Sequence, residues 1–287
     1  MPMPTANLGQ QIRQAVQTRV AEVRADAQMQ GEAARAIGQQ VSEAARAQAD
    51  LLQTRGLLFR LTGEDDFLRA DQFAYTQFTA LNGSGITGGA ILAFDDDTDT
   101  LTVAIAASGL EANQPHIQHI HGFPDGTDAR TPTLAQDTDG DGYIELLEGV
   151  ATYGPVLLDL ATNHDNASGG DNGHAHEGGA TGFPTAPDGK IWFVESYQLP
   201  EGKLGADPML ALREIIIHGM SVPATAGVGT TGEVNGTPGY KLVLPVASGE
   251  ISNVASAQDL RAFIHDLDFD DAARANMHQM HGGWMVG

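Results

Sequence analysis

Two groups of residues in this sequence have the types and spacing that chemistry requires. The first is continuous. Asp137, Asp139 and Asp141 alternate with Thr138 and Gly140, Gly142 comes next, and Tyr143, Ile144, Glu145 and Glu148 complete a twelve-residue run. Calcium takes six to eight oxygen ligands, and this run offers them in the order of an EF-hand loop. Side chains of Asp137, Asp139 and Asp141 supply three oxygens, the Tyr143 carbonyl another, and Glu148 closes the site with both carboxylate oxygens. Glu145, at the ninth position, acts through a water. Gly142 allows the sharp turn, and Ile144 points to the core. The flanks are not those of an EF-hand: Thr131-Pro132-Thr133-Leu134 is a poor helical run, and Gly149 breaks the segment after Glu148. The spacing predicts a lone calcium loop between strands that fixes a long connection. With no paired loop it is not a cooperative sensor. The competing reading is an acidic surface turn.

The second group is dispersed. In His116-Ile-Gln-His119-Ile-His121-Gly122, residues 119 and 121 share one face of a strand, so two imidazoles can reach one ion, while His116 points the other way unless the strand bends. A third ligand must come from elsewhere, and His218, ending the apolar run Glu214–His218, is the candidate. His164, His174 and His176 stand in a Gly/Asp-rich stretch with Asp165, Asp171 and Glu177, as further candidates; His278 and His281 flank Met280. Isolated histidines (164, 265, 278, 281) read as surface or packing residues. The 119/121 pair divides between a metal ligand set and a structural role bonded to backbone.

Composition narrows the classes of function. Fifteen basic against 37 acidic residues give −22, which repels phosphate backbones and argues against nucleic-acid binding. No apolar run reaches the length of a membrane span. Cysteine is absent, which removes disulfides, thiolate metal sites and cysteine nucleophiles. The first residues lack the basic and apolar segments of a cleaved secretory signal. The Asp-rich, lysine-poor balance fits a protein solvated for salty water. It also fits a bacterial protein exported without a cleaved leader and folded on calcium at the cell surface or outside.

Charge and glycine divide the chain. Residues 1–55 carry +1 and the remainder −23, and thirty of the 35 glycines come after residue 70. A 4-3-4-3 apolar stripe runs from Leu8 and Ile12 through Val16, Val20, Val23, Ile37 and Val41 to Leu51, with Gln30 and Gln48 as polar breaks. This predicts a helix over residues 1–60 that packs on its own β-domain, drives homo-oligomerisation, or is disordered in isolation. Residues 70–252 have the texture of a mainly β domain. Strands are expected at Gln72–Leu81, Gly88–Asp95, Thr100–Ser108, His116–His121, Val156–Leu160, Lys190–Gln198, Glu214–His218 and Tyr240–Val246, with long loops at 163–189 and 224–239. Eight strands at this spacing suggest a Greek-key β-sandwich or barrel. Residues 253–287 form a short helical tail with Leu260, Phe263, Ile264 and Leu267 on one face. Asp95–Asp97 and Asp268–Asp271 read as solvated turns.

Several runs occur in a telling order: Phe78-Thr-Ala-Leu-Asn-Gly-Ser-Gly, Gly88-Gly-Ala-Ile-Leu-Ala-Phe, His119-Ile-His121-Gly122, Tyr153-Gly-Pro-Val-Leu-Leu, Ile216-Ile-His218-Gly219 and Leu244-Pro-Val-Ala-Ser-Gly-Glu. Over residues 73–250 this order resembles the chordin-type (CHRD) domain, including bacterial forms with an Asp-rich calcium-like loop after His-Ile-His-Gly. It is also similar to Cu/Zn superoxide dismutase, whose Greek-key barrel delivers copper ligands from a His-x-His strand and a later strand. That resemblance implies His119, His121 and His218 as copper-type ligands. The bridging histidine of that family would fall at residues 136–138, where this chain has its calcium run. The family disulfide has no counterpart, and no arginine lies between Arg213 and Arg261. The expectation is therefore a non-enzymatic calcium-binding CHRD-type protein with a structural or assembly role. A copper-dependent dismutase-like oxidoreductase is the alternative.

Overall fold

The computed structural model describes residues 6–162, 180–200, 204, 209–267 and 269. The chain forms two compact units, Met1–Leu51 and Leu52–Gly287. Helix α1 spans Ala6–Thr62, so its last turns belong to the second unit rather than closing a separate segment at residue 60. Alanine, glutamine, arginine and glutamate fill most positions of the first unit, and these residues favour helix. Its apolar stripe is exposed, from 45% at Val20 to 64% at Val41. Pairs such as Arg19–Glu22 (2.9 Å) add only tenths of a kilocalorie on such a surface.

Among the described residues of the second unit, ten strands form two antiparallel five-stranded sheets. The first holds β1 (Gln72–Gln77), β3 (Thr87–Asp95), β4 (Thr100–Ser108), β7 (Lys190–Gln198) and β10 (Ser252–Asn253), in the order β10-β1-β3-β4-β7. The second holds β2 (Thr79–Ala80), β5 (Gln118–His121), β6 (Val156–Asp159), β8 (Glu214–Val222) and β9 (Gly239–Glu250), in the order β2-β9-β8-β5-β6. Between the sheets lies the main core, where Leu92, Val103 and Ile105 meet Ile120, Ile215 and Ile217. The other face of the first sheet is covered too. Ile91, Ala93, Ala104 and Ala106 pack against Leu58 and Leu61 of α1 and against Leu260 and Ile264 of α3 (Ala257–Asp266). Burial on both faces explains why β3 and β4 read as unbroken apolar runs rather than alternating ones.

Several expectations change. Among the described residues the helices hold more residues than the strands, so the fold is mixed rather than mainly β, and the two sheets are separate rather than a closed barrel. The predicted strand at 72–81 breaks at Phe78, where the chain leaves one sheet for the other. Gly149 does not stop a helix: α2 (Leu146–Tyr153) begins within the last three residues of the acidic loop and runs through Gly149. Glycine is required there because a Cβ would overlap the Tyr153 ring. Asp95 is buried rather than solvated, and Oδ1 accepts from Asp97 N and Thr98 N at 3.0 and 3.3 Å to fix the β3–β4 turn. In the expected tail, α3 spans Ala257–Asp266 with Leu260 and Ile264 buried as the pattern indicates, while residues 268 and 270–287, including Asp268, Asp270 and Asp271, lie outside the described residues.

Candidate metal centres

The acidic run folds on its own side chains. Asp137 accepts Gly140 N at 2.7 Å and Gly142 N at 2.8 Å, Asp139 accepts Asp141 N at 3.3 Å, and Asp141 accepts Tyr143 N at 2.8 Å. Glu148 returns from the twelfth position to the second, where Oε1 takes Thr138 N (2.6 Å) and Thr138 Oγ1 (2.8 Å). One oxygen each of Asp137, Asp139 and Asp141 lies within 4.8 Å of the other two. Asp141 Oδ2 is buried and accepts no hydrogen bond. Burial, reinforced by repulsion from Asp139, Asp137 and Glu148, raises the Asp141 carboxyl above its ordinary range, although the Tyr143 N–H opposes the shift. Converging hard oxygens that repel one another and leave one buried atom unpaired fit a calcium ion.

Ile144 is buried, and Asn82 holds its backbone from both sides: Oδ1 accepts Ile144 N at 2.7 Å, and Nδ2 donates to Ile144 O at 2.9 Å. Glu145, at position nine, is bound to a distant segment. Its Oε1 accepts Val234 N at 2.5 Å, which ties the acidic loop to the 224–239 connection. Burial, with Glu233, Asp141 and Asp139 nearby, pushes Glu145 up to about 7 even against that hydrogen bond.

The histidine cluster is assembled rather than continuous. His119 and His121 come from β5 and His218 from β8, the strand paired with it, on the face of the second sheet opposite the core residue Ile120. Register irregularities fall beside His121 and beside His218, and such bulges re-aim side chains. All three rings are 3% exposed or less, with centroids 5.3–6.0 Å apart. One nitrogen from each lies within 4.8 Å of the other two.

The opposite nitrogen of each ring is anchored. His121 Nδ1 donates to Gly154 O at 2.9 Å, His218 Nδ1 donates to Val243 O at 2.7 Å, and His119 Nε2 lies 3.2 Å from Asp159 Oδ1. These bonds select tautomers whose lone pairs sit on His119 Nδ1, His121 Nε2 and His218 Nε2, all buried. Burial holds His121 down at about 4 despite the Gly154 bond and nearby Asp159, so its ring is neutral at pH 7, the form that binds a metal. His121 Nε2 has no hydrogen-bond partner, and such an orphaned buried atom is what a missing ligand leaves.

Among the described residues no carboxylate or fourth histidine joins this group. His116 is buried with both nitrogens facing backbone oxygens, His218 O at 3.0 Å and Glu111 O at 3.1 Å, so it supports β8 and is not a ligand. His164, His174, His176, His278 and His281 lie outside the described residues. His265 is exposed beside Asp266.

Sequence reasoning missed Asp159, Tyr153 and Phe183. The Tyr153 ring lies 4.7 Å from His121, and the Phe183 ring 5.6 Å from His119. A lone aspartate ending the apolar run Val156–Leu158 was the available signal. Glu214 was missed as well: it is fully buried opposite His121 on the neighbouring strand, bonded to Thr131 Oγ1 and Ser248 Oγ, with Oε2 unpaired. No protein-family model matches this chain, and no curated protein matches it.

Proposed function

We propose that this chain is a non-enzymatic, calcium-binding β-sandwich protein of chordin type that also holds one transition metal, copper or zinc, and assembles through its N-terminal helix. The observation that carries the transition-metal part is the buried cluster of three imidazoles, each fixed from behind by a carbonyl or carboxylate. Anchoring of that kind sets ring orientation and basicity in metal sites. The calcium part rests on the twelve-residue order together with the converging carboxylates. Self-assembly rests on the regular exposed stripe of α1, which repeats at the spacing that pairs helices. Placement outside the cell or on its surface accords with a cysteine-free, acidic chain whose site needs calcium.

The Greek-key part of the reading has support in the strand order. β4 and β7 are neighbours in the first sheet although β5 and β6 of the other sheet lie between them in sequence. One observation favours the second reading, a copper-dependent oxidoreductase of dismutase type: three histidines leave a coordination position for an outside ligand. Against it stand the burial of all three rings and the net charge of −22, which repels an anionic substrate. Arg213, the arginine nearest His218 in sequence, is buried and donates to Phe123 O and Leu204 O.

Elemental analysis after reconstitution with calcium, copper and zinc and exhaustive dialysis tests the reading. The expected result is one calcium and one transition metal per chain. Absence of either ion refutes that part. Superoxide turnover by the copper form transfers the conclusion to the oxidoreductase. Sedimentation of Val20→Asp and Ile37→Asp tests assembly, and persistence of the oligomer in both variants removes α1 as the interface.

A further inference from the structure

The acidic loop and the histidine cluster share one element. Glu148 is both the twelfth loop residue and the third residue of α2, and its Oε2 accepts Glu145 N at 3.0 Å to cap that helix. Five residues on, Tyr153 ends α2 with its ring against His121, and Gly154 supplies the carbonyl that orients His121 Nδ1. At about 1.5 Å per residue, eight residues make a link of about 12 Å, too short to bend gradually.

The link is also laced end to end. Tyr153 is fully buried, and its hydroxyl donates to Leu146 O, at the first residue of α2, at 3.0 Å. Its ring lies over Gly149 at a separation no Cβ would permit. Gly154 is held as closely: a Cβ there would fall 2.5 Å from Gly122 O, beside His121. One end of α2 thus forms part of the calcium loop, and the other end forms part of the wall behind a metal ligand.

We propose that calcium occupancy at Asp137–Glu148 sets the transition-metal affinity of His119, His121 and His218, with α2 as the mechanical link. This rests on the two-site reading. Without calcium, Asp137, Asp139, Asp141 and Glu148 repel one another, and that repulsion works against the Glu148–Glu145 bond that caps the first turn of α2. Calcium neutralises that repulsion and fixes Glu148, hence α2, hence Tyr153 and Gly154. His121 then meets its metal already oriented, so binding has less ordering to accomplish. The expected gain is about tenfold in affinity, the scale at which outer partners act on a metal ligand. Linkage requires copper to tighten calcium binding by the same factor. Loading of the histidine centre becomes conditional on calcium.

The test is Cu(I) affinity of the full chain, measured by competition with bicinchoninate in chelator-stripped buffer with and without saturating calcium. Calcium affinity is then measured with and without copper. Gly149→Ala keeps every ligand but drives the Tyr153 ring from its place. It should bind both ions while the coupling falls to within about twofold of none. Tyr153→Phe keeps the ring and cuts the tie to Leu146, and an intermediate factor is expected; it decides the matter alone if circular dichroism shows that Gly149→Ala does not fold. Two results overturn the coupling while leaving both sites standing: stoichiometric binding of each ion with no mutual effect, or coupling undiminished in the folded variants. Failure to retain one ion overturns the two-site reading itself, and the coupling with it.

Discussion

The acidic loop and the histidine cluster bring candidate ligands together in opposite ways. The loop draws its oxygens from twelve consecutive residues, and short Asx-type hydrogen bonds such as Asp137 to Gly140 N and Gly142 N shape it locally. The histidine centre draws on β5 and β8 for ligands and on β6, β9 and the end of α2 for their supports. The first needs correct neighbours in sequence; the second needs correct register in a sheet and a closed roof. The loop should therefore tolerate changes elsewhere, whereas the histidine centre should respond to nearly everything packed around it.

The sharpest separation comes from removing a ligand. Metal binding of about 10–16 kcal/mol spread over four positions assigns about 3 kcal/mol to each, so His218→Ala should weaken copper by about a hundredfold or more. Its calcium affinity in copper-free buffer should stay within the wild-type range. Parallel titrations check this, and a matching loss of calcium would show that the whole sheet has collapsed.

Calcium removal is the next largest effect. At a hundred times its dissociation constant, calcium stabilises the native state by about 2.7 kcal/mol. For a unit of this size that corresponds to about 5–10 °C in Tm. Asp141→Asn and Glu148→Gln should each remove most of the calcium-dependent shift in a thermal melt. A shift that survives in both variants would place calcium elsewhere.

Glu214 sharpens the contrast from the buried side. Burial pushes its carboxyl up to about 7, opposed by the Ser248 and Thr131 hydroxyls, so the folded chain holds a proton that the unfolded chain releases near 4.5. Stability contributed by this proton is complete below pH 4.5 and is lost as pH rises toward and through 7. Between pH 5.5 and 7.5 the loss is about 2 kcal/mol. Glu214→Gln should flatten that part of the stability profile in urea titrations, and an unchanged slope would mean that Glu214 is ionised in the native state.

The same contrast explains how much of each site was legible in the sequence. Asp137, Asp139, Asp141 and Glu148 could be read from order alone, because the local hydrogen bonds that bring them together are made within that order. Glu145 could not, because its partner Val234 lies 89 residues away in a loop with no distinguishing pattern. His119 and His121 were legible as a strand pair and His218 as the end of an apolar run, but their meeting depends on the β5–β8 register and on two bulges. The β3 and β4 strands were plain from their apolar runs. The change of sheet at Phe78 and the formation of α2 across Gly149 were not, because both are imposed by packing: the first by two sheets sharing one core, the second by the Tyr153 ring.

The smallest expected effect tests the supports rather than the ligands. Asp159 stands directly opposite His119 in the β5–β6 pairing, and its carboxylate faces His119 Nε2. Asp159→Asn keeps the shape and an acceptor oxygen but removes the charge that makes the imidazole a stronger base. Copper affinity should fall about tenfold, or about 1.4 kcal/mol, the lower end of what outer partners of a metal ligand contribute. Calcium affinity in copper-free buffer should not move, since Asp159 lies on a strand that contributes nothing to the acidic loop. The Cu(II) electron paramagnetic resonance spectrum should also shift, because a weaker donor at His119 changes the ligand field, and a purely structural aspartate would leave that spectrum alone. Equal copper affinity and an identical spectrum would mean that His119 is oriented by the sheet itself. The contrast between a locally shaped loop and a supported buried centre would then narrow to Gly154 and Val243.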